Sequence, residues 1–204
     1  HEVVFTKYEG KKDLLKLAWR TAKSDATLSW FALGYAYTAT KIARIFKKRS
    51  YIIAGGWDVE WMPEIGYGAL NQKRKKMTKW ALENCTKVLC VSKWTKNSVK
   101  RIAPRAKTVV VPLAVDTRTF KFVEGPREKA VCTIASAKNA TTIKVKGLDV
   151  FVEVARNMPD WKFYIGGDTD KSVLEKTCGE LPKNLQLTGY LKTDELVSLY
   201  GKCM

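Results

Sequence analysis

Residues 138–151 read KNATTIKVKGLDVF and lie between an apolar run, AVCTIA, and a helical pattern. A strand, a polar loop closing on Lys-Gly and then a helix is an arrangement suited to holding phosphate. Amide N–H groups at the helix start and one or two lysine ammoniums converge on a single point. Lys146 and Gly147 are the residues of that type here, and a solvated loop lysine before a turn glycine is the plainer alternative. Three more strand-to-helix junctions accompany them: VVVPLAVDTRTF at 109–120, WKFYIGGD at 161–168 and LQLTGYLKTDEL at 185–196.

The elements that must position these junctions alternate along the chain, the order expected of an α/β protein with parallel sheets. Helical spacing of apolar residues covers 10–23, 35–46, 69–85, 93–101, 148–157, 171–178 and 194–200. Apolar or alternating runs predict strands at 26–30, 51–54, 87–91, 108–111, 130–135, 162–165 and 185–188. The uninterrupted run at 108–111 suits a central parallel strand, and Ser92 suits a helix N-cap. The helix at 69–85 sets a basic face of Lys73, Arg74, Lys75 and Lys76 against an inner stripe of Leu70, Met77, Trp80 and Ala81. Between 117 and 129 the pattern pauses in TRTFKFVEGPREK, a polar stretch with Gly-Pro. It reads as a linker between two α/β units, 1–116 and 130–204.

The chain has 204 residues and a net charge of +17, from 37 Lys+Arg against 20 Asp+Glu. That excess attracts nucleic acid, anionic lipid or phosphorylated small molecules without choosing among them. No apolar run reaches the roughly 18 residues of a membrane span. Five cysteines form no C-x-x-C pair and His1 is the single histidine, so no familiar zinc spacing exists. Free cysteines inside apolar runs suit a reducing, cytoplasmic compartment. His1 in place of an initiating Met suggests a tag remnant or a fragment boundary.

Taken in order, GGWD, VLCVSKWTKNSVKR, VVVPLAVDTRTF, KVKGLDVFVEVARNMPDWKFYIGGD and LTGYLKTDELVSLY resemble the glycosyl transferase group 1 family. These are retaining enzymes with two Rossmann-like domains of the GT-B type, and the resemblance runs from about residue 51 onward. It implies a nucleotide-sugar donor held by the second unit, with Lys146 and Gly147 at the diphosphate. A second cation is expected upstream; the family's usual Arg is absent and Lys138 is the nearest substitute, a point charge in place of a fork. Gly166 and Gly167 would line the nucleotide, with Gly189, Tyr190, Leu191 and Lys192 near its base. Gly55, Gly56 and Asp58 would face the acceptor, while Trp57 and Trp61 beside them are packing residues, sugar-stacking rings or bilayer contacts.

The resemblance further implies metal-independent catalysis in which cations and N–H donors stabilise the departing diphosphate. The nucleotide sugar is then a substrate, and no cofactor or metal is expected. The basic helix at 69–85 suggests docking on an anionic membrane surface with a lipid-linked acceptor, at the inner face. Two family features are missing: a pair of glutamates eight positions apart and the Gly-rich opening loop. Both units are therefore expected to be incomplete relative to the family, through fragmentation or natural reduction. The competing class is a non-catalytic basic module for nucleic acid or another polyanion on the same scaffold. Nucleic acid is the weaker partner, because no RNA- or DNA-binding signature is present.

Overall fold

The computed structural model describes residues 2–68, 72–122 and 124–203. The chain divides into two compact units, His1–Ala114 and Val115–Met204.

In the first unit, α1 (Leu14–Lys23), β1 (Ala26–Trp30), α2 (Gly34–Ile45) and β2 (Arg49–Ala54) come first. A short antiparallel pair follows, β3 (Trp61–Met62) and β4 (Tyr67–Gly68). Then come α3 (Gln72–Asn84), β5 (Lys87–Cys90), α4 (Lys93–Ile102) and β6 (Thr108–Val110). The sheet is parallel with order β1-β2-β5-β6. Period-two alternation decides its two faces. Ile52, Ala54, Val88 and Cys90 point into a fully buried core with Leu82 and Val99 from the helices. Burying each large aliphatic side chain of this kind is worth about 1.5–3 kcal/mol.

The opposite face of that sheet carries Leu28, Trp30 and Val109 exposed, with Tyr51, Ile53 and Leu89 half-buried. Parallel sheets usually have both faces covered, so this apolar face is unusual. It also corrects the expectation of a central strand at 108–111. β6 is an edge strand, because an apolar run has the same composition whether its second face is packed or open.

The second unit contains β7 (Ala130–Ile134), α5 (Ala140–Val145), α6 (Leu148–Asn157), β8 (Lys162–Gly166), α7 (Lys171–Cys178), β9 (Leu185–Gly189) and α8 (Thr193–Lys202). Its three strands are parallel in the order β7-β8-β9. Ile165 on β8 packs with Leu148 and Val152 of α6 and Leu174 of α7. On the other side Tyr164 and Cys132 meet Leu199 and Cys203 at the end of α8. The α/β, parallel-sheet class expected from the sequence is the one observed. The expected basic helix is α3, whose start the structure describes from Gln72; Leu70 lies outside the described residues, as does the Lys73 side chain. Among the described residues no helix is long and apolar enough to cross a membrane.

Candidate functional site

Each unit brings its singled-out residues to the carboxyl ends of its strands, the edge where parallel α/β sheets hold ligands. In the second unit this edge differs from the loop the sequence suggested. Asn139 caps a helical turn, its Oδ1 accepting from Thr142 N–H at 2.9 Å, so α5 replaces the polar loop. Lys146 ends α5, and Gly147, at φ 66°, turns the chain into α6. Two consequences bear on phosphate binding. The Gly147 N–H already donates to Lys144 O at 3.1 Å and is not a spare donor. Asp149 occupies the first turn of α6 and balances the positive helix end itself. Lys146 is exposed and makes no ion pair among the described residues.

Lys138 is committed elsewhere. Its Nζ donates to Asp168 Oδ1, an ion pair between the loops leaving β7 and β8. The same two loops are stitched by Asp168 N–H to Ser136 Oγ at 3.1 Å and by Thr169 Oγ1 to Ala135 O at 2.8 Å. Asp170 N–H reaches Ala137 O at 3.0 Å. Gly167, at φ 101°, sits so close to Ala135 that a side chain there would strike its backbone carbonyl. Gly166 pairs with Gly189 beyond a register shift, and Gly167 N–H donates to Gly189 O at 2.7 Å. After Gly189 the Tyr190 ring is exposed, Leu191 packs beside Tyr164, and Lys192 N–H donates to Glu195 Oε2 at 2.7 Å to cap α8. These residues share one edge, and the backbone donors of Gly147, Gly167, Asp168 and Lys192 already have partners.

In the first unit Asp58 is fully buried. Its Oδ2 accepts from Ala32 N–H at 2.8 Å, and its Oδ1 from Gly55 and Gly56 N–H at 3.1 and 3.0 Å. A carboxylate met by backbone N–H groups this way organises the turn, and Gly55 and Gly56 are held by it. Phe31, in the left-handed region at φ 72°, packs where a side chain on Gly55 would stand. Burial and the Asp58 charge push the Tyr35 and Tyr67 hydroxyls up.

Beyond Asp58 lies a cavity of about 270 Å³ lined by Val59, Glu60, Trp61, Lys75, Thr78 and Arg101 among others. Glu60 is buried; its Oε2 accepts from Arg101 Nη2 at 3.2 Å, and its Oε1 has no partner among the described residues. Burial raises the Glu60 carboxyl above its ordinary value, Asp58 adds to the rise and Arg101 opposes it. Sequence reasoning missed Glu60 and Arg101. The only local signal was a second acid two residues after Asp58, and burial is not visible at that range. Among the described residues no group of three or more His, Cys, Asp or Glu side chains could hold a metal ion.

These are Rossmann-like parallel-sheet units, and solved structures with that fold resemble the chain. It is similar to a mutant of TarM from S. aureus in complex with fondaparinux, alpha-GlcNAc-glycerol and UDP, at 16% identity and TM-score 0.58 over 93% of this chain and 38% of that one. MnaA from S. aureus, with UDP, matches at 11% identity and TM-score 0.52, covering 94% of this chain and 55% of MnaA. The UDP-GlcNAc 2-epimerase from Neisseria meningitidis, bound to UDP-GlcNAc, matches at 15% identity and TM-score 0.50, over 93% and 57%. The chain thus spans between about two fifths and three fifths of their lengths. The sequence matches no protein-family model and no curated protein.

Proposed function

We propose that the chain acts on a nucleotide-activated sugar, as a glycosyltransferase or part of one, with retention and without a metal. Residues 1–116 then form the acceptor-side domain, 117–129 the linker and 130–204 the donor domain. The observation that carries this reading is Lys146. It is an exposed lysine without an ion pair among the described residues, at the carboxyl edge of a parallel sheet, next to the start of α6, in a fold shared with proteins bound to UDP and UDP-GlcNAc. Lys146 supplies the charge on the diphosphate, and Lys138 joins it by exchanging Asp168 for a phosphate oxygen. Gly166, Gly167 and the turn Gly189 to Lys192 flank the nucleotide, and Gly55, Gly56 and Asp58 shape the acceptor side. No cofactor is required. A cytoplasmic location follows, with Arg74, Lys75 and Lys76 of α3, all exposed, meeting an anionic membrane face that carries a lipid-linked acceptor.

The test is thermal unfolding with UDP, GDP, ADP and their sugars. Ligand at 100 times its Kd stabilises the folded chain by about 2.7 kcal/mol. Lys146→Ala should remove that stabilisation while leaving the ligand-free melt unchanged. No shift with any nucleotide sinks the proposal.

The likeness to the UDP-GlcNAc 2-epimerase from Neisseria meningitidis favours a second reading, an activity on the nucleotide sugar without an acceptor. Conversion of UDP-GlcNAc in the absence of any acceptor hydroxyl would select it. Binding to random oligonucleotides that weakens steeply with salt, alongside indifference to nucleotides, would instead select a polyanion-binding module.

A further inference from the structure

Glu60 is the most unusual polar group in the first unit. Its side chain is 2% exposed, yet Oε1 has no hydrogen-bond partner among the described residues. An unmet buried carboxylate oxygen costs free energy, and this one borders a cavity. Around it stand the Trp61 ring, half exposed, with Lys75 Nζ 5.8 Å from the ring centre. Arg101 holds Glu60 Oε2 and Ser98 Oγ through Nη2, leaving other N–H groups of its guanidinium as donors. Thr78 gives its hydroxyl proton to Ala32 O at 2.7 Å and keeps acceptor capacity.

The charges narrow the ligand. A free anion would meet the carboxylates of Asp58 and Glu60, and a free cation would meet Arg101 and Lys75. A group that both donates and accepts satisfies every wall. The volume, about 270 Å³, is just below the roughly 300–1,000 Å³ of ordinary small-molecule pockets, which limits the occupant to about one ring. We propose that this cavity binds a single neutral polyhydroxyl ring, a monosaccharide or cyclitol. In this arrangement Glu60 Oε1 accepts a ligand hydroxyl, Arg101 donates to another, and Trp61 covers one ring face. Both the protonated and the ionised form of Glu60 can accept, so the raised carboxyl does not disqualify it. Calling the ligand the acceptor rests on the transferase reading; the site itself does not.

The experiment is saturation-transfer NMR and tryptophan emission on the full chain, without nucleotide. The panel is glucose, mannose, N-acetylglucosamine and myo-inositol, with glucose 6-phosphate and inorganic phosphate as charged controls. At least one neutral ring should bind and change the emission. Glu60→Gln should weaken it about tenfold or more, the loss of a hydrogen bond to a charged group. Trp61→Ala should weaken it comparably, and Trp61→Phe should restore much of the affinity. Trp61 is exposed enough that its variants test the site even if Glu60→Gln fails to fold. The inference is overturned if no neutral ring binds at high millimolar concentration, if only charged controls bind, or if Trp61→Ala leaves binding unchanged. Nucleotide protection of Lys146→Ala is measured on the same preparations. UDP protection that persists in Lys146→Ala while ring binding is intact marks failure of the donor assignment and not of this one.

Discussion

Ala32 N–H donates to Asp58 Oδ2 across 2.8 Å, tying the chain that leaves β1 to the chain that leaves β2 through residues 26 apart. Gly55 and Gly56 complete the clasp on Oδ1. Asp58→Ala would strand three backbone donors, two of them buried. Each hydrogen bond to a charged group is worth about 1.5–3 kcal/mol, so the variant should lose at least about 3 kcal/mol in urea unfolding. Asp58→Asn should fall between, because its amide group can keep one oxygen but brings N–H toward another N–H. A loss under about 0.5 kcal/mol for Asp58→Ala would match an ordinary surface change and would show that the clasp is dispensable.

The Lys138–Asp168 pair is exposed on both sides, at 57% and 65%. Such pairs contribute about 0–1 kcal/mol, so Asp168→Asn should barely move the melting temperature. It should nevertheless free an ammonium at the proposed diphosphate site and raise UDP affinity severalfold at low salt, with the gain fading as salt screens it. Unchanged or weaker affinity would mean that Lys138 takes no part in binding.

Gly167 and Gly147 both have positive φ, but their surroundings differ. At Gly147 an added methyl group meets open space, so Gly147→Ala should cost about 1–2 kcal/mol of backbone strain. At Gly167 the methyl group also collides with the Ala135 carbonyl, whose carbon would stand 2.8 Å away. Gly167→Ala should therefore cost clearly more, and equal losses in denaturant titrations would contradict this contrast.

Glu60 gives a pH signature of known sign. Its folded carboxyl lies above the ordinary 4.5, mainly through burial. The folded chain then binds this proton more tightly than the unfolded chain, and that contribution is fully present below 4.5 and lost as pH rises through the raised value. Compared with Glu60→Gln, the parent protein should gain stability as pH falls through this window. Urea midpoints at stepped pH measure it. A gain in the opposite direction would mean that the Arg101 contact outweighs burial.

Much of the architecture was legible because its signals are local. Helices such as Lys93–Ile102 and Lys171–Cys178 follow from apolar spacing, and the first also from its side-chain cap Ser92, which acts within three residues. α5 was not legible: Ala140 to Val145 contains two threonines, a valine and an isoleucine, poor helix formers that read as loop until the Asn139 cap and the packing of Ile143 are known. The Trp61–Met62 and Tyr67–Gly68 pair was also missed, since two-residue strands have no period to detect.

What the amino-acid order determined alone is the alternation of parallel strands and crossover helices, and so the edge to which Lys146, Gly167 and Gly189 are delivered, because hydrophobic period is written residue by residue. Only tertiary structure decided which of those groups remain available. Lys138 meets Asp168, and Glu60 meets Arg101, through sheet register and helix packing over 30 and 41 residues of separation. An ammonium or a carboxylate reads identically in sequence whether it is paired, orphaned or open to a ligand.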